Sequence, residues 1–217
     1  MAHFTVIGLG RFGIAASMEL IYLGHTVTGV DRDAKVAEKN VEDFTQLLIC
    51  DSTDENALKE LDLANSDAVL VAIGEDMESS LLCTLALKKL GVKEIWVKAN
   101  SRAHHTIVSK LGVSRIIHPE EEMGVRVAQA LNYPMVNDYL SIGHGLYVVE
   151  IHIKQPLDGC HLGELLGPSK GKVDAVMVKR EQETFLQLDQ DFEIKASDIL
   201  LLSGTRDALK CLAPRLS

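Results

Sequence analysis

Apolar positions along this chain alternate between two spacings. His3 to Ile7 is a short, nearly continuous apolar run. Between Arg11 and Leu23 the apolar residues recur at helical spacing, and Val27 to Val30 is a second short run. The same change of period then repeats. Ala34 to Phe44 reads as a helix, and Gln46 to Cys50 as a strand. A helix starting at Asp54 to Asn56 follows, with Ser52 or Thr53 as its cap. Asp67 to Ile73 (DAVLVAI) is continuously apolar, as expected of a strand covered on both faces. Met77 to Leu90 is a helix closed by Gly91, Glu94 to Lys98 a strand, Arg102 to Leu111 a helix closed by Gly112, and Arg115 to His118 a strand. Pro119 starts a further helix. Strands alternating with helices predict an α/β fold with a doubly wound parallel sheet.

Beyond residue 132 the pattern loosens. Asn132 to Gly145 holds Pro134, Asn137, Asp138 and two glycines, which reads as a linker over 133–145. Leu146 to Ile153 alternates like a half-buried strand, Leu162 to Leu166 is a short helix, Val173 to Val178 and Ile199 to Leu202 are strands, and Asp207 to Leu212 is a last helix. The chain therefore divides into a Rossmann-like domain over 1–132 and a smaller α+β domain over 146–217.

The densest chemistry lies at the first turn. Gly8-Leu9-Gly10-Arg11-Phe12-Gly13 joins the first strand to the first helix, and the second strand ends on Asp31. Gly8 permits a tight turn, Gly10 lets backbone approach a pyrophosphate, and Gly13 lets helix and strand pack closely. The helix N-terminus presents free N–H groups and the positive end of its dipole to the phosphates. An acid at the position of Asp31 accepts from ribose hydroxyls. Nucleotide binding is the reading this unit favours. Two roles fit Arg11: a bidentate phosphate donor, or a solvated surface charge.

In a parallel sheet of this kind ligands lie outside the carboxyl ends of the strands. The remaining strand exits carry Asp51-Ser52, Ile73-Gly74-Glu75, Lys98-Ala99-Asn100 and His118-Pro119-Glu120. Asp51-Ser52 could bond the adenine or ribose, and Gly74 could let the ligand lie against backbone. Both also serve as ordinary caps and turns. His104 and His105 read equally as solvated first-turn residues. The run Glu120-Glu121-Glu122 complements a helix dipole, and Glu120 could alternatively ligate a divalent cation.

Composition narrows the classes. The 217 residues carry a net charge of −9, which disfavours nucleic acid as a partner, and 47% are hydrophobic, enough for a real core. No apolar run approaches the ~20 residues that span a bilayer, and the N-terminus enters a strand at once, so no signal peptide is expected. Four scattered cysteines, without a CxxC, read as reduced thiols of a cytosolic protein rather than a zinc site.

GLGRFG at 8–13, VAIG at 71–74, IWVKA at 95–99, the pair His104-His105 and IIHPEEEMG at 116–124 resemble the RCK (regulator of potassium conductance) or KTN family, specifically the regulatory subunits of bacterial Ktr potassium-uptake systems. The resemblance covers nearly the whole chain. It implies a cytoplasmic protein, peripheral on the inner face of the membrane, whose dimers assemble into an octameric ring beneath a KtrB-like potassium-translocating subunit. ATP would activate and ADP inactivate, NAD(H) would fit the same pocket, and magnesium or calcium would accompany ATP. By the same resemblance Arg11 approaches the γ-phosphate, Asp31 is the ribose acid, and Glu120 is associated with the cation. Asp51, Ser52, Ile73, Gly74, Glu75, Lys98, Ala99, Asn100 and His104 form the pocket rim. Relatives can carry Asn where this chain has Asp51. Some members bind cyclic di-AMP in the C-terminal lobe, but no compact motif here carries that over.

The alternative is an NAD-dependent oxidoreductase, which would need an acid–base residue and a substrate anchor in the second domain. That domain is small, and His152 and His161 lack an acidic partner in a recognisable motif. A redox sensor of transcription would need a basic DNA-binding module. No enzymatic activity is expected.

Overall fold

The computed structural model describes residues 1–36, 44–132, 136–169 and 171–216. They form two compact units, Met1–Glu120 and Glu121–Ser217.

The first unit is a six-stranded parallel sheet. In chain order it runs β1 (His3–Ile7), α1 (Arg11–Tyr22), β2 (Thr26–Asp31), β3 (Gln46–Ile49), α2 (Glu55–Lys59), β4 (Ala68–Val71), α3 (Met77–Lys89), β5 (Ile95–Lys98), α4 (Arg102–Lys110) and β6 (Arg115–Ile117). The spatial order is β3-β2-β1-β4-β5-β6, so the winding reverses between β1 and β4. Ile7 pairs with Val30 on one side and Val71 on the other. Side chains alternate across the sheet. Ile7, Val30, Val69, Val71 and Val97 pack on one face with Leu87 and Val108 of the helices. Val6, Leu9 and Val27 pack on the other with Phe44 and Ala72. Burial on both faces accounts for the apolar runs read along β1, β4 and β5.

The helix expected over Ala34 to Phe44 falls largely on residues outside those described. The cap of α2 differs from the expected Ser52 or Thr53: Asp54 is the N-cap, accepting from the Asn56 N–H at 2.9 Å. A carboxylate one position nearer the helix reaches that N–H, while Thr53 is already bonded to Asp51.

The second unit is antiparallel. The helix α5 (Pro119–Asn132) leads into β7 (Val136–Gly143), β8 (Leu146–His152), α6 (Leu162–Leu166), β9 (Val173–Arg180), β10 (Glu183–Phe185), β11 (Ile199–Thr205) and α7 (Arg206–Leu212), with sheet order β10-β9-β11-β8-β7. Here the expected boundaries need correction. The compact units divide at Glu120, not Asn132, and the segment read as a linker over 133–145 contains β7, hydrogen-bonded along β8. Gly143 and Gly145 flank a hairpin turn, both at positive φ, and close two strands rather than connecting two domains. Residues 133–135 of that segment lie outside those described.

Val149, Ile151, Val173, Val178, Leu200, Leu202 and Leu212 form this unit's core. Beside it Asp198, 1% exposed, takes both Nε and a terminal amine of Arg180 at 2.8 Å, and the Lys195 N–H at 2.8 Å. The guanidinium also stands over the rings of Phe185 and Phe192, at 5.4 and 5.7 Å from their centroids. A buried carboxylate so fully bonded offsets its own desolvation.

Candidate functional site

The strand order reverses between β1 and β4, which in sheets of this kind puts the ligand crevice at the carboxyl ends of the strands, beside the glycine loop. Gly8 has φ +94°, which an L side chain rarely adopts, and a Cβ there would stand 3.0 Å from the Ala72 backbone. A Cβ on Gly13 would come 2.0 Å from the Gly8 carbonyl oxygen, so only glycine lets α1 start so close to β1. Gly10 is different. A Cβ there would meet nothing within 4 Å, so its space is open. Gly10 is also the N-cap of α1, and no side chain caps that end or puts an acid in its first turn. The first-turn N–H groups thus have no side-chain cap, and the space beside Gly10 is open, the two features an anion site requires. Arg11 stands exposed in that first turn.

Asp31 ends β2 beside this loop. Its Oδ2 accepts from the Leu9 N–H at 2.6 Å and its Oδ1 from the Asp33 N–H at 2.9 Å. A carboxylate has about four acceptor positions, so two remain for ribose hydroxyls. The loop-fixing bond was not foreseen, since nothing in the linear sequence ties Asp31 to Leu9.

Across the crevice a second group of the expected residues comes together. The Lys98 side chain, nine-tenths buried at the end of β5, pairs with Oε1 of Glu120 at 2.5 Å. Its ammonium stands 5.6 Å from the centroid of the Phe12 ring, and a Cβ on Gly74 would be 3.0 Å from it. Asn100 donates to the Gly74 carbonyl at 2.8 Å and lies 3.1 Å from Nδ1 of His104. The hydrogen bond from Lys98, and its charge, hold the Glu120 carboxyl below the usual range, with Arg11 adding to the effect. Ala99 is buried behind Lys98, its N–H bonded to the Ile117 carbonyl.

His104 and His105 differ in burial, and for His104 the solvated reading does not hold. His104 is fully buried, and its Nε2 has no hydrogen-bond partner. Burial, reinforced by His118, lowers its pKa. His105 is exposed and stacks on His118, with nitrogens 2.8 Å apart. The N-cap of α4, Ser101, accepts from the His104 N–H and turns that side chain inward.

Asp51-Ser52 stands at the exit of β3, next to that of β2: Cys50 donates to the Asp31 carbonyl at 3.0 Å. The Asp51 carboxylate is engaged with the Thr53 N–H and hydroxyl, which lowers its pKa. Burial pushes the pKa of the Cys83 thiol up to about 12. Glu75 is exposed beside Asp76, which caps α3 by accepting from Ser79. Ile73 packs partly buried behind Gly74.

Among the described residues no three His, Cys, Asp or Glu side chains come together as a metal site, so a cation at Glu120 would need oxygens from a ligand. The second unit yields one correction. His152 has an acidic neighbour after all, Glu150 at 3.5 Å, because residues two apart on β8 share a face. No helix among the described residues is long and apolar enough to cross a membrane.

Comparison with known proteins identifies the family. The model of the TrkA-N domain matches residues 4–119. The Ktr system potassium uptake protein A of Bacillus subtilis (strain 168) is 35% identical over 208 residues, 96% of this chain and 94% of that protein. Ktr system potassium uptake protein C of the same organism is 38% identical over 203 residues, covering 94% and 92%. Among solved structures, the GsuK channel matches all of this chain and 39% of its own with a TM-score of 0.69 at 15% identity, a likeness of fold. The NAD(P)-binding domain of an exopolyphosphatase-related protein from Archaeoglobus fulgidus matches 61% of this chain and 96% of its own, with TM-score 0.53 and 26% identity.

Proposed function

Because this chain belongs to the Ktr potassium-uptake protein family, with a TrkA-N domain over residues 4–119, we propose that it is a nucleotide-sensing regulatory subunit of a potassium transporter. The observation that carries the reading is the open space over Gly10 at the uncapped start of α1, flanked by Asp31 and by the Lys98 ammonium. These groups suit a ligand with ribose and phosphates. The role is regulatory rather than catalytic.

ATP and ADP are the proposed ligands, ATP activating and ADP inactivating, with NAD(H) a competitor for the same crevice. The solved NAD(P)-binding domain supports the last point. The two nucleotides share adenine, ribose and two phosphates. A ligand shifts a conformational equilibrium only through its differential affinity for the states, so discrimination falls to groups that meet the third phosphate. Arg11 is the proposed cation there. Magnesium or calcium would take one oxygen from Glu120 and the others from the phosphates.

The protein would act in the cytoplasm, docked on a KtrB-like membrane subunit, as dimers assembled into an octameric ring. On α5, Met123, Val127 and Leu131, spaced four apart and so on one face, are half or more exposed, which suits a face that meets a second copy; Val125, equally exposed, lies on the opposite side. The deciding experiment is a calorimetric titration of the purified protein with ATP, ADP, NADH and cyclic di-AMP. Micromolar binding of ATP and ADP is the expected result. Failure of both to bind while NADH binds would move the reading to a dinucleotide sensor.

A further inference from the structure

The ion pair of Lys98 and Glu120 is lopsided. The lysine side chain is 10% exposed and wedged between Gly74 and the Phe12 ring, while the glutamate side chain is 69% exposed. One partner is fixed in the crevice, and the other is free to turn into solvent. A buried ammonium without a counter-charge is costly, so Lys98 needs an anion whether or not a ligand is present. The ring of Phe12 belongs to the glycine loop, so this ammonium reaches the loop that would hold a phosphate. A phosphate in the crevice and the Glu120 carboxylate would therefore contend for one cation.

We propose that Glu120 is a stand-in for ligand phosphate: an anionic ligand displaces it from Lys98, and its release carries occupancy of the crevice to α5. The proposal rests on the nucleotide reading given above. Glu120 is thus an intramolecular competitor. It lowers the apparent affinity for phosphate-bearing ligands, and for no others, by the fraction of time it occupies Lys98. Once released, it also becomes available to a cation that the phosphates recruit. Binding of phosphate and of cation is then mutually reinforcing, because each frees the partner the other needs.

The test is calorimetry in the presence of a chelator, with adenosine and ADP as probes, on the wild type, Glu120→Gln, Lys98→Met and the double variant. Glu120→Gln keeps the side chain's shape and an amide oxygen that can accept from the ammonium, but removes the counter-charge, so the ligand-free variant should lose thermal stability that ADP restores. Adenosine should bind all four alike. ADP should bind Glu120→Gln several-fold more tightly and Lys98→Met tenfold or more weakly, and the gain from Glu120→Gln should vanish in the double variant. If Glu120→Gln binds ADP no better than wild type while adenosine and ADP both bind, the exchange is refuted and the nucleotide reading stands. If the wild type binds neither probe, the nucleotide reading falls and the exchange with it.

Discussion

The Asp31 carboxylate accepts a 2.6 Å hydrogen bond from the backbone N–H of Leu9, 22 positions earlier in the chain. The acid that would bind ribose thus also clamps the glycine loop to the end of β2. Ligand contact and loop geometry share one side chain. Asp31→Asn keeps the shape but turns an amide donor toward one of two N–H groups, so it should cost about 1–3 kcal/mol in urea denaturation. In the wild type the same carboxylate should repel a 2′-phosphate. NADPH should bind much more weakly than NADH, and equal affinities in calorimetry would refute the ribose role.

Two glycines of the loop should respond in opposite ways. Gly13→Ala puts a Cβ 2.0 Å from the Gly8 carbonyl oxygen, and such overpacking against backbone should destabilise by about 3 kcal/mol or more. Gly10→Ala meets nothing in the protein, so thermal stability should hold while nucleotide affinity falls. A Gly10→Ala protein that binds as well as wild type would show that the phosphates lie elsewhere.

Arg11 is predicted to separate ATP from ADP. A charge-assisted contact contributes about 1.5–3 kcal/mol, so Arg11→Ala should weaken ATP on the order of tenfold or more and leave ADP nearly unchanged. It should also reduce ATP-stimulated potassium flux in liposomes carrying the membrane partner. An equal loss for both nucleotides would make Arg11 a general phosphate contact and move the switch to other residues.

His104 gives a pH dependence with a definite sign. Burial depresses its pKa in the folded state, so below the ordinary imidazole value of about 6.5 the unfolded chain binds the additional proton. The contribution is fully present above that value and is lost as pH falls through the lower folded value. The urea midpoint should therefore drop between pH 7.5 and 5.5, and His104→Gln should flatten that slope. Identical slopes would show that other groups set the dependence.

The exposed row on α5 predicts self-association. Light scattering should show at least a dimer at micromolar concentration. Replacing Val127 and Leu131 by Glu should reduce it to monomer without lowering the thermal midpoint, since both side chains are half or more exposed. A wild-type monomer would refute the interface.

The first unit was legible because its signals are local. Glycine spacing, helix closures at Gly91 and Gly112, and buried apolar strands each lie within a few residues of what they determine. What stayed hidden depends on residues far apart in the chain. Lys98 and Glu120 meet only because the exit of β5 faces the start of α5, and Leu9 meets Asp31 only through the pairing of β1 with β2. From its polar neighbours His104 reads as a solvated first-turn residue, and only the family resemblance sets it at the pocket rim. The cap at Ser101 and the packing of α4 decide its burial. In the second unit, glycines that mark hairpin turns are indistinguishable by composition from glycines of a linker, so β7 was read as a connection.

The Arg180–Asp198 pair has a consequence for how unambiguously the second sheet aligns its strands. Leu200, Leu201 and Leu202 are consecutive and alike in shape and polarity, so at these three positions a one-residue slide of β11 along β9 would exchange one leucine for another, and what resists it lies at the strand's two ends: Gly204, where a Cβ would stand 2.8 Å from the Lys172 carbonyl oxygen, and Asp198. Such a slip cannot preserve the carboxylate's partners. It would carry Asp198 away from the guanidinium and the Lys195 N–H and leave a charge buried without them. Alignment of β11 is therefore encoded at its ends, by the Asp198 contact at one and Gly204 at the other, while the leucines supply cohesion with little information. Replacing Arg180 and Asp198 by leucine should leave the unit no less stable but split the amide NMR signals of β11 into more than one set; a single set would show that Gly204 and the packing define the alignment without the pair.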